Sequence, residues 1–216
     1  MDTYIFTYVA VAVAIFWVVA LIVAIVCYVV NMVNISKSAR KEVYDALNIK
    51  LKESELLHNK NFVKVIHAID CISDQVVSLK ILEPNSCYLE SAELFIADAK
   101  IRAYMLGMYQ SVREVSPDEI NELKKLIRWK ERSSGCNESV IRFNMKLSVE
   151  TVVRYIEAKY WLCSSGMERR ALCRIMAAFE IFDSSMQAID AENESKSMRS
   201  SCVTAGSSCV TAGISI

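Results

Sequence analysis

Apolar residues fill the first part of the chain without interruption by a charge. Between Asp2 and Lys37 no Asp, Glu, Lys or Arg occurs, and Val, Ile and Ala dominate the run. A helix needs about 20 predominantly apolar residues to cross the hydrocarbon core of a bilayer, and this run is longer. Aromatic residues near its two ends, among them Tyr4 and Tyr28, are typical of anchors at the membrane interface. The pattern therefore predicts a single transmembrane helix over residues 4–33.

Beyond this run, apolar positions recur at intervals of three and four residues, which place them on one face of an α-helix. Four such stripes follow one another, whereas no segment keeps the two-residue alternation of a β-strand. The pattern predicts an all-α protein, and the short connections predict an antiparallel helical bundle over residues 34–194. The stripes are Phe62, Ile66, Ile69, Ile72, Val76 and Leu79; Leu89, Ala92, Phe95, Ala99, Ala103 and Leu106; Ile141, Met145, Val149, Val152, Ile156 and Tyr160; and Leu172, Ile175, Phe179, Phe182 and Met186.

The segment VVNMVNISKSARKEV, residues 29–43, joins the apolar run to the bundle. It contains neither Pro nor Gly, the two residues that most often interrupt a helix. We therefore expect the transmembrane helix to continue through Asn34 and Ser36 as a stem that forms the first wall of the bundle.

Helix-start signals separate the later elements. The segment SPDE, residues 116–119, offers Ser as the N-cap, Pro at the first helical position and Glu at the third. It predicts a short helix that runs through Trp129. Asn137 is expected to cap the helix that follows.

Charge gives the predicted anchor a direction. The 25 basic and 25 acidic residues of the 216-residue chain cancel, and this balance argues against a nucleic-acid partner. Basic residues nevertheless follow the apolar run closely, at Lys37, Arg40, Lys41, Lys50 and Lys52, whereas its N-terminal flank has none. Because an excess of Lys and Arg marks the cytoplasmic side, we expect a single-pass protein of a cell (inner) membrane with its C-terminal domain in the cytoplasm.

A cleaved signal peptide is a second explanation for an apolar run near the N-terminus. Such a peptide has a basic start, an apolar core of about 7–15 residues and a small-residue cleavage site. Here the start is Met1-Asp2-Thr3, without Lys or Arg, and the apolar core is about twice too long. The comparison favours a permanent anchor.

The periodic pattern stops after about Glu194. Residues 195–216 contain the sequence SSCVTAG twice in tandem. Small residues with little apolar bulk cannot offset the entropy lost on ordering, so this segment is predicted to be a disordered tail. Its thiols, Cys202 and Cys209, have no activating charge beside them and are expected to be incidental.

The search for chemistry yields no catalytic, cofactor-binding or metal-binding residue. No Gly-rich phosphate loop and no G-x-S-x-G sequence occurs. The chain has eight cysteines without a C-x-x-C pair, and Glu55-x-x-His58 lacks the second Glu-x-x-His motif of a di-iron bundle. His67 and Cys71 stand four residues apart, which brings thiol and imidazole near each other on a helix. A thiol-dependent enzyme or redox protein is therefore the alternative, although their apolar setting favours packing.

The segment LKKLIRWKERS, residues 123–133, combines basic residues with an aromatic one. Lys124, Arg128 and either Glu131 or Arg132 share a face near Trp129. Such a helix could lie on anionic lipid or bind a partner. An ordinary exposed face over an apolar stripe is the explanation that we favour.

Two segments resemble the LemA family of bacterial inner-membrane proteins. The first, residues 40–66, follows the anchor directly and carries Tyr44, Leu47, Asn48, Ile49, Leu51, Leu57, Asn59, Phe62 and Val63 in an order comparable to the family's. The second, residues 139–156, is similar to the family's later helix with an A-R-x-x-Y-N pattern, here Ile141-Arg142-Phe143-Asn144. The resemblance implies a helical bundle on a membrane stem, with no established enzymatic activity.

Together the patterns favour a membrane-anchored helical scaffold or adaptor over an enzyme. The expected partners are the lipid bilayer and a protein bound at the membrane face. Whether the bundle also self-associates is left open by the sequence.

Overall fold

The computed structural model of the protein describes residues 2–54, 59–83, 86–133, 137–163 and 165–208. These residues form α-helices and connections and contain no strand, which confirms the all-α prediction. The helices are α1 (Asp2–Glu53), α2 (Lys60–Leu82), α3 (Cys87–Met105), α4 (Met108–Val112), α5 (Pro117–Ser133), α6 (Glu138–Tyr160) and α7 (Gly166–Ser208).

The first helix, α1, runs without a break through all of its 52 residues. Its N-terminal part is long and apolar enough to cross a membrane, and no residue of its most apolar window is buried by protein. From Met32 onward one face is buried instead, at Met32, Ala39, Val43 and Leu47. The stem predicted through Asn34 is therefore a continuous helix, and it forms one wall of the bundle.

The bundle core consists of the predicted stripes. Every member of the fourth stripe is buried on α7, and the first three stripes are buried apart from half-buried members such as Phe62 and Val149. The long helix α7 packs on α2 and α1, while α6 packs on α3. This pairing leaves α6 and α7 with few direct contacts.

The predicted caps are present. Ser116 Oγ accepts a hydrogen bond from the Glu119 amide at 3.2 Å, and Asn137 Oδ1 accepts one from the Ser139 amide at 3.1 Å. The five-residue helix α4 was not predicted because it is too short to show a period. It follows Gly107, whose φ of 67° lies in the left-handed region that favours glycine.

The last helix passes beyond the core. Ile189 is its last buried apolar residue among those whose side chains are described, and residues 191–196 are exposed. The backbone stays helical to Ser208, within the segment for which the composition predicts disorder. Residues 209–216, with Cys209, lie outside the described residues.

Candidate functional site

A groove of about 490 Å³ lies between α6 and α7. It exists because α6 packs mainly against α3 whereas α7 packs mainly against α2, so α6 and α7 diverge along one side of the bundle. The residues that line it come from three helices: Phe95 and Arg102 from α3; Arg142, Met145, Lys146, Val149 and Glu150 from α6; and Phe179, Phe182, Asp183, Met186, Gln187 and Asp190 from α7.

Aromatic rings and methionines form the floor of this groove. Phe95 meets Phe179 and Phe182 edge to face, with ring centroids 4.9 and 5.1 Å apart. Met145 and Met186 stand beside them, and all five side chains are buried. The edge-to-face contacts restrict the movement of the three phenylalanine rings. The flexible thioethers of Met145 and Met186 can adapt to apolar groups of different shape.

Charged groups close one end of the groove. Arg102 Nη2 donates to both carboxylate oxygens of Asp190, at 2.7 and 2.9 Å, and Arg142 Nη2 donates to Asp190 Oδ1 at 3.2 Å. A hydrogen bond to Glu138 raises the pKa of Arg142 further above its ordinary value. Arg102 is buried, and among the described residues its Nε has no hydrogen-bond partner.

The lining of this groove combines apolar with charged side chains. It contains no Cys, His, Ser or Tyr, and its charged members are Arg102, Arg142, Lys146, Glu150, Asp183 and Asp190. An apolar floor between charged rims is the form in which proteins receive the apolar face of an amphipathic helix. The end at Arg102 and Asp190 can in addition meet polar groups at one end of such a helix.

The sequence pair His67 and Cys71 lines a separate, polar cleft of about 250 Å³ between α1, α2 and α7. His67 Nε2 lies 3.3 Å from the carbonyl oxygen of Val43. Since a carbonyl only accepts, Nε2 must carry the proton. His67 Nδ1 is buried without a hydrogen-bond partner among the described residues, so it makes no hydrogen bond to the thiol.

The protonation behaviour of this cleft is opposite to that of an activated thiol. Burial raises the pKa of Cys71 to about 11, whereas a nucleophilic cysteine needs a lowered pKa. Outside this cleft, in the connection between α6 and α7, burial also raises the pKa of Cys163, to about 12. Burial, reinforced by the Lys50 charge, also lowers the pKa of His67. His67 contacts α1 at Val43, and Cys71 packs partly buried against the core. Glu55 and His58 lie outside the described residues.

No family model, no curated protein and no solved structure matches the chain. The resemblance to the LemA family stays a prediction.

The basic segment 123–133 forms most of α5. It contains a buried ion pair that was not predicted from the sequence. Lys124 and Arg128 are exposed as expected, but Lys130 is buried. Its Nζ lies 2.8 Å from Asp98 Oδ1 and donates to Oδ2 at 2.9 Å. The signal was available, since Lys130 continues the apolar spacing of Leu123 and Ile127.

Proposed function

We propose that this chain is a single-pass, membrane-anchored scaffold or adaptor without a catalytic site. In this proposal the apolar part of α1 crosses a cell (inner) membrane, the bundle lies on the cytoplasmic side, and the groove between α6 and α7 binds a helix of a protein partner. The basic residues that follow the apolar run support this orientation. If the resemblance to the LemA family holds, the same arrangement of stem and bundle would be expected.

The observation that carries the proposal is the groove itself. Its volume of about 490 Å³ accommodates two or three large apolar side chains, which a helix presents at three- and four-residue spacing. The rigid stem supports the proposal because Met32, Val43 and Leu47 fix the bundle on α1. A partner held in the groove would therefore stay at a set distance from the membrane.

Site-specific photo-crosslinking in native membranes tests this function. A crosslinker at Gln187, on the exposed rim of the groove, should capture one defined neighbour through an amphipathic helical segment identified by mass spectrometry. The substitution Val149→Arg fills the groove with a charged side chain and should abolish this product. Thr151→Arg is the matched control because Thr151 is exposed and lies about 200° around α6 from Val149.

Capture that survives Val149→Arg, or an identical product from a crosslinker at Thr151, would remove the groove as the binding site. Circular dichroism of each variant verifies that the bundle remains folded.

A further inference from the structure

Five large apolar side chains are exposed at the end of the bundle where α2 ends and α7 begins. We call them the apolar rim: Ile81 and Leu82 on α2, Trp161 and Leu162 after α6, and Met167 on α7. Leu162 is 83% exposed, Ile81 79% and Met167 77%. Ile81, Leu82 and Met167 together border an opening of about 400 Å³. Apolar surface gathered in this way marks an interaction site.

Hydrogen bonds place the rim beside the last turns of the apolar run. The Tyr28 hydroxyl donates to the carbonyl oxygen of Trp161 at 3.1 Å, and the Tyr160 hydroxyl donates to that of Met32 at 2.8 Å. Arg169 donates to the Tyr28 hydroxyl at 3.3 Å. The connection between α6 and α7 is thus fixed at the level of Tyr28.

The length of α2 gives the same level independently. His67 contacts Val43, and α2 runs from there back along α1. The residues from His67 to Leu82 are as many as those from Val43 back to Tyr28, so at about 1.5 Å per residue both segments span about 22 Å. Leu82 therefore lies at about the level of Tyr28, as the connection between α6 and α7 does.

The thickness of a bilayer decides what surrounds this level. The apolar run from Tyr4 to Val33 exceeds by about ten residues the length that crosses the hydrocarbon core. Its last turns, from Tyr28 onward, thus fall where hydrocarbon meets headgroups, the depth that Trp and Tyr prefer. A rim containing Trp161 lies at this same depth.

We propose that the apolar rim inserts into the interfacial layer of the bilayer that α1 crosses, and that this second lipid contact fixes how the bundle stands on the membrane. The inference rests on the membrane anchoring in the proposed function and is independent of the groove. Lipid is the occupant because the rim is level with the end of the anchor and continuous with it through Tyr28. The indole of Trp161 would lie among headgroups, and Leu162 and Met167 would reach the upper acyl chains.

Quenching of single tryptophans in the full-length protein tests this inference. The chain has three tryptophans, Trp17, Trp129 and Trp161, and replacing two at a time with Phe leaves one reporter in each variant. The proteins are reconstituted in phosphatidylcholine–phosphatidylglycerol vesicles with and without lipids brominated near the headgroup end of the acyl chains. Trp129 is the matched control because its exposure, 48%, is close to the 56% of Trp161 and it lies on α5.

Trp161 should be quenched at least twofold by brominated lipid, show blue-shifted emission and resist aqueous acrylamide, whereas Trp129 should show the reverse. Trp161 quenched by acrylamide and not by lipid would overturn the inference. Trp161 protected from both quenchers would also overturn it, since a protein would then cover the rim. Trp17, near the middle of the apolar run, reports on the anchor separately in vesicles whose lipids are brominated near the methyl end of the acyl chains. Absence of quenching by those lipids would instead contradict the membrane span.

Discussion

The buried charges of the bundle each have a partner that offsets their desolvation. Lys130 pairs with Asp98, Arg102 with Asp190, and Glu168 with Lys159 at 2.8 Å. Arg169 keeps its charge, and its guanidinium donates hydrogen bonds to the carbonyl oxygens of Tyr160 and Cys163. Burial raises the pKa of Asp98, although the hydrogen bond from Lys130 opposes this rise. Each pair joins two segments, so these residues specify which helices meet.

The Asp98–Lys130 pair gives a prediction at this scale. Asp98→Ala leaves an ammonium buried without a counter-charge and should lower the free energy of unfolding by about 3–5 kcal/mol. The double variant Asp98→Leu with Lys130→Met should recover most of this loss. Chemical denaturation in detergent measures both, with Glu180→Ala as the control because its pair with Arg40 is exposed and is worth at most about 1 kcal/mol. A loss for Asp98→Ala no larger than that control would contradict burial of the pair.

At the scale of elements, a hydrogen bond from the titratable side chain of His67 connects α2 to α1. His67 of α2 donates to the Val43 carbonyl of α1, and burial keeps the ring neutral by lowering its pKa. Asp70 lines the same cleft, and burial raises its pKa. The two groups affect the free energy of unfolding in different pH ranges. Asp70 contributes stability at acid pH, and this contribution is lost as the pH rises through its folded pKa. His67 contributes stability above pH 6.5, the ordinary pKa of histidine.

A pH prediction follows for the α1–α2 contact. Because the folded pKa of His67 lies below 6.5, the unfolded chain takes up the proton first, and stability falls as pH drops below that value. His67→Gln keeps a donor for Val43 but cannot titrate. The unfolding free energy of the native protein should therefore fall faster than that of the variant between pH 7 and 5, by at most about 1.4 kcal/mol per pH unit. Parallel stability curves would exclude His67 as the source of the pH dependence. His58 is present in both proteins and therefore cannot cause a difference between them.

At the scale of the whole molecule, the bundle contacts α1 on both sides of Asn34. Below Asn34, the Tyr28 and Met32 contacts hold the stem against the α6–α7 connection. Above it, Arg40 donates to both carboxylate oxygens of Glu180, at 3.1 and 2.8 Å. The apolar run and the bundle thus share one continuous helix, with no linker between them.

A proline at position 34 tests whether α1 is held as a continuous helix. Asn34→Pro removes a backbone donor and clashes with the preceding turn, which should cost about 3 kcal/mol of unfolding free energy when the helix is held straight from both ends. Asn34→Ala is the control, because Asn34 is exposed and alanine keeps the helix. Denaturation in detergent measures the difference. A proline variant as stable as the alanine variant would mean that the stem is not held as a continuous helix.

The sequence pattern alone determined the all-α class, a helix long and apolar enough to cross a membrane, the four core stripes and the caps at Ser116 and Asn137, because hydropathy, periodicity and capping are local properties. It could not reveal the groove. The floor of the groove combines Phe95 of the second stripe with Phe182 of the fourth, and the sequence gives no sign that one of these stripes borders an opening. Nor could it pair Lys130 with Asp98 or bring Trp161 to the level of Tyr28. Only the tertiary structure decided these features, because they depend on which helices pack together, how far they diverge and where each one ends.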